Sequence, residues 1–373
     1  MNGFTIEENK GVYGARMKVI GVGGGGCNMI DHMIREGYDR VELIVANTDA
    51  KSLDKSIAKT KLRLGDMGSG MEPEFGKKAA EENFDLLKDA LEYSDIVFIS
   101  AGLGGGTGTG ASPVVARAAK ENKALTIGVV TTPFKFEGKK RASLAQTGID
   151  ELKKECDSIL VIPNQKLLSL IDKKAGIKES FKMVDDVLAR AVGGMSSIIL
   201  DSGNSDINLD FADVKKIMSH RGLALMGVGA SEGEDAPKEA IQDAIQSPLL
   251  DDMSINGAMG VLIHFKIHPD CSLLEISEAV SLVEEAAHDN ADIIFGTTTD
   301  ASIENNRVEV TLIATGFEET SEKKEDDSQK DSLDETKVVS RRQINQRVSG
   351  SDIDLKDIYD NLDEPTYLRY KAD

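Results

Sequence analysis

The 373-residue chain is poor in cysteine, short of basic residues and without a long apolar run. Its three cysteines, Cys27, Cys156 and Cys271, lie far apart and show neither CxxC spacing nor an even-numbered framework. That excludes a disulfide scaffold or zinc module and fits a reducing cytosol. Lys and Arg number 44 against 64 Asp and Glu, for a formal net charge of -20. An acidic surface repels a nucleic-acid backbone instead of displacing its counterions, so nucleic acid is not an expected partner and any bound phosphate must be held locally. No apolar run approaches the roughly 18 residues that span a bilayer. The N-terminal MNGFTIEENKGVYGARMK lacks the basic start, apolar stretch and cleavage site of a signal peptide. The expectation is a cytoplasmic protein without membrane insertion. No GK[ST] follows a glycine run, which excludes a P-loop NTPase, and no internal repeat is present.

What is there is an alternation of elements in a chain long enough for two domains, 40% of it hydrophobic. KVIGVG, VELIVANT, DIVFISAG, LTIGVVTT and SILVIP are continuous apolar runs of the kind buried on both faces. Between them, Cys27 to Glu36, Glu74 to Leu91, Ser112 to Asn122 and Arg141 to Glu155 have helical spacing. The rhythm predicts an α/β fold with a Rossmann-like, doubly wound parallel sheet. A long helical pattern from about Glu179 to Leu200 reads as a connecting helix, and four further strand patterns with two helices read as a second, smaller α/β domain. The expected boundaries are a flexible N-terminal tail over 1–16, a nucleotide-binding domain over 17–178, a connecting helix and junction over 179–207, and the smaller domain over 208–316. Residues 317–352 carry many charges and, after Phe317, no large apolar side chain until Leu333, as a disordered linker does. Residues 353–373 regain Ile, Leu, Tyr and Pro, as a short recognition peptide does.

The first strand ends in Gly21-Val22-Gly23-Gly24-Gly25-Gly26-Cys27-Asn28, where missing Cβ atoms let backbone N–H groups approach an anion at a helix start. Gly21, Gly23 and Gly26 also satisfy GxGxxG, and Asp49 follows the second strand, so an NAD-dependent oxidoreductase is a competing reading. A second glycine run, Gly104-Gly105-Gly106-Thr107-Gly108-Thr109-Gly110, follows DIVFISAG. Two phosphate cradles on one sheet suit a nucleotide with several phosphates, and the Thr107 and Thr109 hydroxyls can add hydrogen bonds to oxygens or a metal.

GGGTGTG in this setting resembles the signature of the tubulin/FtsZ family of GTPases, and the resemblance runs from about Lys18 to Gly316 with a further match at the C-terminus. It implies GTP/GDP with Mg²⁺ on the phosphates. The implied nucleotide contacts are Gly24, Gly25, Gly26, Cys27 and Asn28, then Asp49, then Gly68, Ser69 and Gly70, and then Gly104, Gly105, Gly106, Thr107, Gly108, Thr109 and Gly110. TPFKFEGKKR adds Glu137 and Arg141, IPNQKL adds Asn164, and SFKMVDDVL adds Phe181 and Asp185 at the guanine base. An aromatic face with a carboxylate or amide for the N1–H and N2–H₂ edge is what guanine selection requires. On residue type alone, Phe181 could equally be a core residue, and Glu137 and Arg141 a solvated helix start.

NLDFADV supplies Asn208, Asp210 and Asp213, with the two acids at i, i+3 on one helical face. By themselves they would merely complement a helix dipole. The resemblance implies that this loop inserts over the γ-phosphate of the next subunit, where the acids polarise the attacking water and Asn208 positions it. The active site is then shared between adjacent subunits of a head-to-tail filament that scaffolds the bacterial division ring at midcell. A tubulin-like filament outside division, such as one for plasmid partition, is a further alternative. Asp363, Pro365, Tyr367, Leu368 and Arg369 match the family peptide that docks onto membrane-tethering and regulatory division proteins. Three departures stand out: a shortened loop over Leu62–Gly76, a join DSGNSD without the usual Pro-Gly turn, and Cys27 where the family has Gly. A cysteine at a helix N-terminus is expected to favour the thiolate, although packing is the plainer role for a small residue. His264 and His268 lie about 13 Å apart along a strand, so no transition-metal site is expected.

Overall fold

Aliphatic runs flanked by helical segments become central strands because helices on both faces take the apolar side chains while neighbouring strands take the backbone hydrogen bonds. A computed structural model of the chain describes residues 15–38, 40–168, 176–200, 211–218, 222–250, 255–303 and 306–317, which belong to one compact unit. Asn208, Asp210 and the C-terminal peptide lie outside the described residues. In chain order the first half runs β1 (Met17–Val22), α1 (Gly23–Arg35), β2 (Glu42–Asn47), α2 (Ala50–Lys55), β3 (Thr60–Arg63), α3 (Pro73–Glu82), α4 (Phe84–Ala90), β4 (Ile96–Gly102), α5 (Thr107–Glu121), β5 (Leu125–Thr132), α6 (Lys139–Glu155), β6 (Ser158–Pro163) and α7 (Asn164–Leu167). The second half runs α8 (Ile177–Leu200), α9 (Phe211–Met218), β7 (Gly222–Ser231), α10 (Ala236–Ile245), β8 (Gly260–Ile267), α11 (Leu273–Ala286), β9 (Asp292–Thr299) and β10 (Val308–Thr315).

The strands lie in the order β3-β2-β1-β4-β5-β6-β7-β10-β8-β9. β1 to β6 are parallel throughout. β7 belongs to both halves of the sheet: Gly222–Ala224 pair in parallel with β6, and from Leu225 onward the strand pairs antiparallel with β10. Alternate residues of the parallel strands feed opposite layers. Val19 and Phe98 pack with Val187 and Val192 of α8 on one face, and Ile20 and Ile99 pack with Val115 and Ala119 of α5 on the other. A third cluster joins Ala240 of α10 and Ile276 of α11 to Phe265 of β8. Burying each of these larger side chains contributes about 1.5–3 kcal/mol before entropy is counted. α8 packs against α1, β5 and the antiparallel strands β8 and β10, so it holds both halves of the sheet.

The structure departs from the sequence pattern at several helix ends. α1 and α5 begin inside the glycine runs, at Gly23 and Thr107, several residues before the apolar periodicity starts. Glycine is a poor helix former, but here it permits contact: a Cβ at Gly108 would lie 2.5 Å from the Gly102 carbonyl oxygen. The expected single helix from Glu74 to Leu91 is two. Asn83 leaves helical geometry between them, and its side-chain amide donates to the Ala79 carbonyl at 2.8 Å and the Leu64 carbonyl at 3.3 Å, competing with the backbone ladder.

Cys27 corrects the expectation of a reactive thiolate. Its side chain points into the core, with Sγ at 4.0 Å from the Gly21 carbonyl and at 3.8 Å from the Asn47 amide that donates to it. Burial pushes the thiol up to about 12, outweighing what the helix start and the Asn47 hydrogen bond offer the anion. Cys156 is also buried, whereas Cys271 is half-buried. With Ellman's reagent at about pH 8, native protein is expected to react first at Cys271, with Cys27 and Cys156 released only on denaturation. Fast modification of Cys27 in the native state, located by peptide mapping, would contradict this placement.

Candidate nucleotide-binding site

Strand order reverses at β1, with β2 and β3 on one side and β4 to β6 on the other, and such a reversal opens a crevice at the carboxyl ends of the strands. A cleft of about 480 Å³ lies there, lined by both glycine runs. α1 and α5 start at it, and neither has a side-chain cap or an acidic residue in its first turn. The unpaired N–H groups and the positive dipole ends of both helices are thus left for an anion. Gly24, Gly25 and Asn28 line the cleft from α1, and Gly105, Gly106, Thr107 and Gly108 line it from the second run. At Gly24 and Gly105 a Cβ would meet nothing within 4 Å. These two positions border open space rather than packed protein.

Other expected contacts build the cradle instead of facing it. Gly26, Cys27, Gly70, Gly104, Thr109 and Gly110 are not among the lining residues. The Thr109 hydroxyl accepts from the Gly104 amide at 2.9 Å and so pins the turn that carries Gly105. Gly68 and Ser69 do line the cleft, from the loop between β3 and α3. The Ser69 hydroxyl lies 2.9 Å from that of Thr107, which lies 2.6 Å from that of Thr48. Gly106 has to be glycine for this loop to close, since its Cβ would sit 2.2 Å from the Ser69 hydroxyl oxygen.

The far end of the cleft has different chemistry. Glu137 accepts from the Phe134 amide at 2.9 Å through one carboxylate oxygen and pairs with the Arg141 guanidinium through the other. Phe181, near the start of α8, is 46% exposed, which decides against a core role; its ring meets Phe134 edge-on at 5.6 Å. Asp185 follows one turn later on the same face, half-buried, and burial pushes its carboxyl up to about 7 against the opposing field of Arg35. Asn164 starts α7 at the end of β6 and is buried, and its side-chain Oδ1 has no hydrogen-bond partner among the described residues. An exposed ring face beside an unspent amide oxygen and a poorly solvated carboxyl suits a planar heterocycle that presents donors along one edge.

Asp49 caps α2, accepting from the Lys51 amide at 3.0 Å and the Ser52 hydroxyl at 2.7 Å. These hydrogen bonds, Ser52 foremost, hold its carboxyl below the usual carboxylate range. Asn47, Ser52, Thr131, Val184 and Leu188 also line the cleft and were not singled out from sequence. The signals existed: the buried run of β2 turns polar at Asn47, and Val184 and Leu188 follow Phe181 at helical spacing.

Asp213 is exposed near the start of α9 and does not line the cleft. α9 is tied to the opposite edge of the sheet. The Thr315 hydroxyl at the end of β10 donates to the Ile217 carbonyl at 3.0 Å, and Lys216 pairs with Asp292 at the start of β9 at 2.7 Å. By register, these positions lie level with the first residues of β6 and β7, whereas the glycine runs follow the last residues of β1 and β4.

Comparison with known proteins agrees with this geometry. The description "Tubulin/FtsZ family, GTPase domain" matches residues 16–172, and "FtsZ family, C-terminal domain" matches residues 222–318. The cell division protein FtsZ of Helicobacter pylori strain J99 is 47% identical over 325 residues, 85% of this chain and 84% of that protein. Among solved structures, an empty FtsZ dimer of M. jannaschii is 42% identical with a TM-score of 0.77, covering 82% of this chain and 89% of its own. CetZ2 of Haloferax volcanii, solved as a GTPγS-bound protofilament, shares the fold at 21% identity and a TM-score of 0.69, over 82% of this chain and 94% of its own. The chain belongs to the tubulin/FtsZ family and is a GTPase homologous to the cell division protein FtsZ.

Proposed function

We propose that this chain polymerises head-to-tail in the cytoplasm, hydrolyses GTP at the contact between subunits and scaffolds the division ring. The observation that carries the reading is the separation just described: a complete cradle for a nucleotide on one edge of the sheet, with the helix bearing Asp213 on the other. The triphosphate sits across the N-termini of α1 and α5, the guanine base lies against Phe181, and its N1–H and N2–H₂ edge donates to Asp185 and Asn164. Mg²⁺, bound with the phosphates, would supply neutralisation of their charge, and the cleft-lining Ser69 and Thr107 hydroxyls are hard oxygen donors that would hold it. A cleft with two uncapped helix starts fits a triphosphate better than the single pyrophosphate turn of an NAD-dependent oxidoreductase.

Catalysis at a γ-phosphoryl is mainly positioning and charge stabilisation of an in-line displacement. Asp210 and Asp213 of one subunit polarise the water above the neighbour's γ-phosphate, and Asn208 positions it. A heterologous interface that does not close yields a filament, so nucleotide binding favours assembly and cleavage weakens it. Among the described residues no helix is long and apolar enough to cross a membrane, and the peptide with Asp363, Pro365, Tyr367, Leu368 and Arg369 docks onto membrane-tethering and regulatory division partners.

Light scattering with GTP, GDP, ATP and NAD, run with phosphate release on the same sample, is expected to show assembly with GTP alone, decaying as phosphate appears. The rate per molecule should fall steeply on dilution, and Asp213→Ala should lower turnover about 100-fold or more while filaments still form. Equal turnover by strictly monomeric protein would sink the shared site. Guanine donors hold Asp185 ionised, whereas in the free protein it titrates at about 7. GDP affinity should therefore fall below about pH 7, by up to about tenfold per pH unit, and Asp185→Asn should flatten that profile in calorimetry. A variant that tracks the wild type would remove Asp185 from the base site. Deleting residues 358–373 should spare assembly and GTP turnover and abolish capture of division partners; unaltered capture would refute the docking role.

A further inference from the structure

Phe181 is the ring that lines the base end of the cleft, and its own helix does not fix it. An aromatic side chain on a helix takes either of two χ1 rotamers, and a ring that is 46% exposed has little packing to choose between them. Among the described residues the ring that meets it is Phe134, at 5.6 Å between centroids and 89° between planes. An edge-on contact of that kind leaves a face of Phe181 open.

Phe134, by contrast, is fixed. Its ring is 2% exposed, stacks on Phe136 at 5.0 Å and 12°, and belongs to the core cluster that contains Val184 and Leu188 of α8. Its backbone is pinned at both ends: the Phe134 amide donates to a Glu137 carboxylate oxygen at 2.9 Å, and the Phe134 carbonyl accepts from the Glu137 amide at 3.0 Å. The next amide, that of Lys135, donates to Gln165 Oε1 at 3.0 Å and ties the segment to α7. Phe134 does not line the cleft. A fixed ring beside an exposed one gives the contact a direction: Phe134 orients Phe181, and not the reverse.

We propose that Phe134 is a positioning residue: it holds the Phe181 ring, before any nucleotide arrives, in the rotamer from which an open face meets a planar base. The assignment rests on the cleft being a guanine-nucleotide site with the base against Phe181. Phe134 touches no ligand. A ring set in advance spares the nucleotide the cost of selecting that rotamer, and removing Phe134 returns the cost to binding. The contribution runs through Phe181 alone, so it vanishes when that ring is absent.

The test uses the full chain at concentrations too low for assembly. The sequence contains no tryptophan, so Phe181→Trp places a single indole fluorophore at the base site. Time-resolved anisotropy without nucleotide is expected to show that indole turning with the whole molecule, and GDP is expected to quench it by stacking. Adding Phe134→Leu, which keeps an apolar side chain and removes the ring, should release a fast local depolarisation. With Phe181 native, Phe134→Leu should weaken GDP about fivefold in competition with a fluorescent GDP analogue; in a Phe181→Leu background it should change affinity by less than about twofold. An equal loss in both backgrounds, or no loss with Phe181 native, overturns the proposal. Should Phe134→Leu lose its native circular dichroism, Phe181→Trp alone decides: an indole that reorients fast beside an intact Phe134 overturns the proposal, and one restrained there upholds it. If the wild type does not bind GDP, or GDP leaves the indole unquenched, the base reading of the cleft falls and this inference with it. GDP binding with quenching, but with an affinity indifferent to Phe134, removes this inference alone.

Discussion

Backbone N–H groups at two helix starts, left without side-chain partners, are the constraint on which the nucleotide cradle depends. A helix ordinarily satisfies these groups with a capping Ser, Thr or Asp, and each such cap stabilises by roughly 1 kcal/mol. α1 and α5 forgo that and open on glycine instead. The stability lost is recovered elsewhere, in aliphatic strands buried on both faces. In a protein with a formal net charge of -20, oriented dipoles at two helix starts whose first turns hold no acidic residue supply a local attraction for a polyphosphate.

α8 connects this cradle to the rest of the molecule. Phe181 and Asp185 look into the cleft, and the next residue, Asp186, accepts from Arg190 at 2.8 Å while Arg190 reaches Glu309 of β10 at 3.8 Å. His32 of α1 approaches the same Asp186 at 3.5 Å. Such partly exposed pairs add little stability. Their value is geometric, because one helix carries a face that lines the cleft and a face that meets the antiparallel strands, with Val187, Leu188 and Val192 packed between. Strand β7 makes a second connection by changing partners halfway along, from β6 to β10.

Placing α9 at the sheet edge opposite the glycine turns has a consequence for chemistry. A nucleotide bound to a single chain has positioning and charge neutralisation on one side but no nearby carboxylate from α9. In the head-to-tail assembly we propose, a second chain supplies it through the contact that extends the polymer, so that hydrolysis and assembly share one interface.

Much of this was legible in the residues. Apolar runs of six to eight residues dictate parallel strands, and two glycine runs after such strands dictate two anion-binding turns, because both follow from local backbone geometry. What was not legible depended on neighbours distant in sequence. The break at Asn83 arises from an amide that finds the Leu64 carbonyl, and the hydroxyl chain exists only because β2, the Ser69 loop and α5 converge. Phe181 could be core or ring platform until its exposure was known, and Cys27 could be thiolate or packing until burial was seen to outweigh the helix start. The sequence by itself thus determined the fold class, the family and the location of the two glycine turns. Only the tertiary structure decided which of those residues face the cleft, since a side chain's direction and solvation are set by whatever packs beside it and not by its own identity.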